Sequence, residues 1–170
     1  GNAAAGENPV LVFSGQGPLW PGMTSELLNA LPAYRQSADK NGALFQDNLN
    51  WNPADALAAG EPFSRLKQIQ PIQFTISSAL ADAWRAFGIR EAAVVGHSVG
   101  EASAAYSSGY LSQEDATNLV TLWGKALSNI EGQGAMVSVA ASVEDVTPLL
   151  KEWDGRLTIA AISSNKSVTL

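Results

Sequence analysis

Residues 96–100 read Gly-His-Ser-Val-Gly, a serine between two glycines in the pattern G-x-S-x-G. Such a serine attacks acyl carbons when the chain turns sharply from a strand into a helix at that residue. The hydroxyl then stands at the apex, and the first N–H groups of the helix face the reacting carbonyl. The glycines remove Cβ atoms that would collide in the turn. The bland alternative is a tight turn that happens to contain a serine. His97 is the only histidine of the chain and directly precedes Ser98. At an elbow, neighbouring side chains diverge, whereas a general base must come within hydrogen-bond distance of the hydroxyl and in triad-type sites arrives from a remote segment. His97 is therefore expected to line the pocket or pack beside the elbow, with the base beyond Leu170.

An elbow needs a strand before it and a helix after it. Residues 92–95 form an apolar run suited to a central strand, and a helix is predicted from about residue 99 to 108, with Gly109 following. Residues 10–13 read as a buried strand that runs straight into Ser14-Gly15-Gln16-Gly17. Residues 24–31 look helical and Pro32 interrupts them; the Asn- and Asp-containing stretch 34–60 predicts short helices and loops. The clearest helix spans 71–87, with Pro71 at its first position and Ile72, Ile76, Ala79, Leu80, Ala83, Trp84 and Phe87 on one buried face. Residues 113–130 form another, with Leu119, Leu122, Trp123 and Leu127 as its apolar stripe. After Glu131-Gly132-Gln133-Gly134 the character changes to a strand at 135–140, a helix at 143–153, a strand at 157–162 and the start of another at 167–170. That series fits the first part of a small α+β subdomain, which suggests a chain cut from a longer domain.

The composition narrows the function classes. The 170 residues are 46% hydrophobic and 15% charged, with a net charge of -6 and no cysteine. No Lys/Arg-rich run exists, so a nucleic-acid partner is not expected. One histidine and no cysteine leave little for a transition-metal site. No apolar stretch approaches the ~20 residues of a membrane span, and the opening GNAAAGENP lacks the basic and apolar regions of a signal peptide. A cytoplasmic acidic domain with a linker or scar at 1–8 is the expectation.

Taken together, VFSGQGPLWPGM at 12–23, QIQPIQFTISSALADAW at 68–84 and GHSVGEASAAYSSGYLS at 96–112 resemble the acyltransferase domain of modular polyketide and fatty acid synthases and the related malonyl-CoA:acyl carrier protein transacylases. EGQGAMVSVA at 131–140 is similar to that family's entry into its small subdomain. The resemblance implies an α/β fold: an α/β-hydrolase-like large subdomain over 9–130 and an inserted ferredoxin-like small subdomain beginning at 131–170. It implies ping-pong acyl transfer through Ser98, from CoA or a carrier protein to the phosphopantetheine thiol of an acyl carrier protein, with no tightly bound cofactor and with a ketosynthase among the neighbouring domains. Gln16 carries over, with Val99, as a backbone N–H donor of the oxyanion hole, and Gln70 as the glutamine near the active site. Their bland readings are a turn residue and a polar residue at a helix start. Glu101 reads as a supporting acceptor.

The sequence also departs from the family. Members that take dicarboxylic extender units have an arginine in the helix after the elbow, where a guanidinium pairs with the free carboxylate. Counting back from Gly134-Ala135-Met136, that position falls on Trp123, and no arginine lies between Arg90 and Arg156. A buried unpaired carboxylate beside an indole would cost several kcal/mol. Loading acyltransferases, which choose monocarboxylic starter units, are similar in lacking this arginine. Trp123 is thus either a substrate-binding residue or part of a core stripe. Ser163 stands where the family often has an asparagine. A malonyl-type extender enzyme, an editing hydrolase or esterase on the same serine, and a non-enzymatic scaffold are the competing readings. Arg85, Arg90 and Lys125 flank the elbow segments as candidates for carrier docking or as ordinary surface.

Overall fold

The computed structural model describes residues 8–63 and 66–170; apart from Asn8, the linker expected at 1–8 lies outside the described residues. The chain divides into two compact units, one running to Asn129 and the other from Ile130 to Leu170.

In the first unit, β1 (Val10–Phe13) pairs in parallel with β2 (Ala93–Gly96), Phe13 opposite Gly96. Between them come α1 (Ser25–Ala30), α2 (Pro32–Leu49), α3 (Pro53–Ala59) and α4 (Leu66–Ala86), and after them α5 (Gly100–Ser107) and α6 (Gln113–Ser128). Helix α4 is the axle of the unit. One side presents Ile72, Ile76, Ala79 and Ala83 to Leu28, Tyr34, Ala38, Ala54 and Leu57. A second side places Phe74 among Phe45, Ala102, Ala116 and Val120. A third sets Ala81 against Phe13 and Ala104. Phe74 meets Phe45 and Tyr106 edge-on, each at 6.1 Å between ring centres, a geometry worth about 0.5–1.5 kcal/mol beyond burial alone.

Several expectations change here. Residues 34–60 are not short helices and loops: α2 is one 18-residue helix, and Pro32 starts it instead of only interrupting α1. Its buried face is Tyr34, Ser37, Ala38, Asn41, Gly42 and Phe45, a proper helical period written partly in polar and small residues, which hides it from a hydrophobicity reading. Helix α4 begins at Leu66, so Pro71 lies inside it and only denies the Lys67 carbonyl a partner. Because α4 is packed on three sides, its apolar stripe does not run straight to the end; Trp84 and Phe87 are 53% and 64% exposed and stack edge-on against each other. In α6 the buried face is Gln113, Ala116, Thr117, Val120, Thr121 and Gly124, while Leu122 is 65% exposed and Leu119 43%. Helix α6 packs against α4 along this face: a Cβ on Gly124 would come 3.7 Å from the Lys67 Cα, in ordinary van der Waals contact. The apolar run before the elbow is a strand, but Val95 on β2 and Val12 on β1 are exposed rather than buried.

Buried polar side chains are joined in a relay. Gln113 Nε2 donates to Asn41 Oδ1 at 2.8 Å, Asn41 Nδ2 donates to Ser78 Oγ at 2.8 Å, and Ser78 Oγ donates to the Phe74 carbonyl at 2.7 Å. One asparagine thereby ties α2 to both α4 and α6.

The second unit opens with β3 (Ser138–Val139), continues with α7 (Val143–Leu150) and a single 3-10 turn (Lys151–Trp153), and closes with β4 (Ala161–Ser164) and β5 (Ser167–Thr169). Ser142 and Asp145 form a reciprocal capping box at the start of α7. The sheet is antiparallel in the order β3-β5-β4. The strands predicted at 135–140 and 157–162 are shorter and later than expected. Arg156 donates to the Trp153 carbonyl and lies over the Trp153 ring, so this stretch closes a turn before β4 begins. Among the described residues no helix is long and apolar enough to cross a membrane.

Asn41→Ala strands the Gln113 amide and frees Ser78 inside the core. It is expected to cost about 2–4 kcal/mol in urea denaturation, against under about 1 kcal/mol for the exposed Asn48→Ala.

Candidate active site

Strand β2 ends at Gly96 and α5 begins at Gly100, so the reversal occupies His97, Ser98 and Val99. Ser98 has φ +56°, in the left-handed region that costs a residue with a side chain about 1–3 kcal/mol unless its surroundings impose it. The surroundings do. A Cβ on Gly96 would lie 2.5 Å from the Glu101 Cα, and one on Gly100 would lie 2.3 Å from the Phe13 carbonyl oxygen and 2.5 Å from that of Ser14. The end of β1 therefore runs directly across the start of α5. The His97 N–H donates to the Phe13 carbonyl at 3.0 Å, and the Glu101 N–H donates to the Ser98 carbonyl at 2.9 Å. Ser98 is left exposed at the apex, while Val99 beneath it is buried as the N-cap of α5.

The loop after β1 completes the arrangement. A Cβ on Gly15 would meet His97 Nδ1 at 2.8 Å and Ser98 Cβ at 3.1 Å, so this glycine lets the loop lie against the serine. Gln16 follows, its side-chain Oε1 accepting a hydrogen bond from Gln70 Nε2 at 3.3 Å. Gln70 is buried on the first turns of α4, and its own Oε1 has no partner among the described residues, a kind of group that a bound ligand or water completes. Gly15 thus sets the loop against His97 and Ser98, and Gln70 on α4 holds Gln16, the next residue of that loop. The His97 ring lies beside Gly15. Trp123 is half-buried on α6, next to Gly124, where an added Cβ would lie 3.9 Å from Gln70 Cβ. Glu101 is exposed in the first turn of α5, where a carboxylate complements the helix N-terminus.

Motif reading overlooked the roles of Gly15 and Arg85. The first had a signal, a glycine before the glutamine of the Gly15-Gln16-Gly17 turn. Arg85 was counted among possible docking cations but is turned inward. Its Nε donates to Glu91 Oε1 at 3.0 Å, its Nη2 donates to Glu91, to the Ser107 carbonyl and to Ser107 Oγ, and its Nη1 lies 3.5 Å from Asp82 Oδ1. The hydrogen bond from Arg85 holds the Glu91 carboxyl below its usual range, and the same bond raises the guanidinium further. Among the described residues no group of His, Asp and Glu side chains is arranged to hold a metal ion.

A serine held at positive φ between a strand and a helix, with a glycine-glutamine loop across it, defines a class of serine-dependent acyl-group enzymes. The chain belongs to the acyl transferase domain family, whose model matches residues 10–170. It is 39% identical to the erythronolide synthase EryA2 of Saccharopolyspora erythraea, over 94% of this chain and 5% of that protein, and 38% identical to the mycoketide-CoA synthase of Mycobacterium tuberculosis, over 100% of this chain and 4% of that one. Among solved structures it resembles a loading acyltransferase from the avermectin modular polyketide synthase, with a TM-score of 0.87, 38% identity, and 95% of this chain matched to 53% of that one. The acyltransferase domain from module 8 of the salinomycin polyketide synthase matches with a TM-score of 0.85 and 36% identity, over 95% of this chain and 39% of that one. The chain thus spans a small part of these synthases and about half or less of the two structures.

The elbow supplies a direct test. Gly100→Ala forces a Cβ into the Phe13 and Ser14 carbonyls and is expected to cost about 3 kcal/mol or more, whereas Gly17→Ala enters open space and should shift stability by under about 0.5 kcal/mol. Urea denaturation of both variants gives the comparison.

Proposed function

We propose that the chain is the part of a polyketide-synthase loading acyltransferase that contains the nucleophile. The strained, exposed Ser98 carries this reading. Its Oγ attacks the carbonyl carbon of an acyl thioester. The C–S bond then breaks, the thiol leaves with a proton, and an acyl ester remains on Ser98. The phosphopantetheine thiol of a carrier protein attacks that ester and restores the serine. The backbone N–H groups of Gln16 and Val99 receive the negative charge on the carbonyl oxygen, an interaction strongest at the transition state. The Gln70 amide holds the Gln16 side chain and so the loop that bears the first of these donors. His97 is a wall of the site rather than the base, which we assign to a histidine outside residues 1–170.

Three further points belong to the same reading. The order β3-β5-β4 with a helix after β3 suits the first part of a ferredoxin-like subdomain, and the parallel β1–β2 pair suits an α/β-hydrolase-like one. Acyl carrier protein and ketosynthase partners, and a cytoplasmic location, belong to this reading; similarity to long synthases of which the chain covers 4–5% supports the partners. The preference for a monocarboxylic acyl group rests on Trp123. Identity does not choose the substrate, since the loading domain and the module 8 domain match at 38% and 36%.

With the intact protein, a monocarboxylic acyl-CoA is expected to leave one acyl group on Ser98 by mass spectrometry, and none in Ser98→Ala. Adding carrier protein should move that group to the carrier thiol; release as free acid at the same rate with or without carrier would mean hydrolysis, and no adduct would mean a scaffold. Trp123→Arg is expected to raise acylation by malonyl-CoA relative to a monocarboxylic donor by about tenfold, or ~1.4 kcal/mol. An unchanged ratio would remove Trp123 from substrate selection.

A further inference from the structure

The strand and helix that meet at Ser98 have nearly matched lengths. The four residues of β2 rise about 13 Å at ~3.3 Å each, and the eight residues of α5 about 12 Å at ~1.5 Å each. Helix α5 packs back along β2, so the far end of one arm comes near the far end of the other. Arg85 occupies that open end. Glu91 lies two residues before β2 and Ser107 is the last residue of α5, and one guanidinium donates to both. Asp82, one turn back on α4, holds the same guanidinium at 3.5 Å, and its Oδ2 accepts hydrogen bonds from Ser37 on α2 at 2.7 Å and Tyr106 on α5 at 2.9 Å. The brace is therefore anchored to three helices rather than hanging from one side chain.

We propose that Arg85 is a positioning residue for the serine: it closes the open end of the strand–elbow–helix angle and thereby fixes where the Ser98 hydroxyl stands at the apex. The apex itself has little freedom, since the backbones of Phe13, Ser14 and Glu101 already crowd Gly96 and Gly100. A change in the angle between the arms is thus delivered to the residue at positive φ. Planarity matters as well. A guanidinium presents its donors in a rigid fork and reaches the carboxylate and the end of the helix at once, whereas an ammonium is a single point. The proposal rests on Ser98 being the nucleophile.

The test is the second-order rate of Ser98 labelling by a fluorophosphonate, measured on the intact protein well below its melting temperature. Arg85→Met is expected to lower that rate by about tenfold or more while the protein remains folded, since displacements near 1 Å at a reacting group carry penalties of this order. Arg85→Lys should fall between it and the parent. Asn41→Ala serves as the control for lost stability alone, expected to melt lower yet label within about twofold of the parent. If Arg85→Met does not fold, Glu91→Gln, which weakens only the β2 arm, decides in its place and should also label more slowly. A folded Arg85→Met, or failing that Glu91→Gln, that labels at the parent rate would overturn the proposal. So would a slowing matched by Asn41→Ala at the same loss of melting temperature. A parent protein that does not label at Ser98 would instead overturn the reading of the nucleophile.

Discussion

The structure of the first unit is organised around a close crossing of two backbones. The carbonyls of Phe13 and Ser14 pass so near Gly100 that no side chain fits between them, and the Glu101 backbone does the same to Gly96. Between these two contacts Ser98 has nowhere to go but the left-handed region. The crossing thus converts packing at the end of a parallel strand pair into backbone strain at one residue, and it leaves that residue exposed. The Gly15 loop then sits against the same residue because it too lacks a side chain there. A serine at this point stands exposed, with the start of a helix beneath it and the Gly15 loop against it.

Such a crossing has to be held, and the helices do this. Helix α4 touches all three apolar clusters, and α2, α3, α5 and α6 are arranged about it. Polar groups pin the arrangement at particular points: Asn41 joins α2 to α4 and α6, Gln70 joins α4 to the Gln16 loop, and Arg85 joins α4 to both arms of the elbow. Each is a buried or half-buried contact whose loss leaves a partner unsatisfied, so these contacts define geometry more than they add stability.

Much of the elbow was legible in the linear sequence, because G-x-S-x-G after an apolar run and before a helical one is a local pattern with a local mechanical cause. The element order of the second unit was legible for the same reason, although its strands were shorter than their apolar runs. The buried faces of the helices were less so. Leu119, Leu122, Trp84 and Phe87 lie at positions that a single-faced helix would bury, yet α4 packs on three sides and α6 turns Ala116, Thr117, Val120 and Gly124 inward instead. Helix α2 was missed for the complementary reason, its inward face being built partly from Ser37, Asn41 and Gly42.

The sequence by itself determined which residue types stand at the turn: a serine with glycines on either side, and a glutamine between glycines after the first strand. It also determined that no arginine lies between Arg90 and Arg156. These are covalent facts, and their chemistry follows from the side chains alone. Only the tertiary structure decided that the loop at Gly15 rests on His97 and Ser98, that Gln16 is held by Gln70, and that Arg85 faces inward to Glu91 and Ser107 instead of outward to solvent. Those outcomes join residues far apart in the chain and depend on ångström-scale clearances between backbones, which no spacing along the sequence encodes.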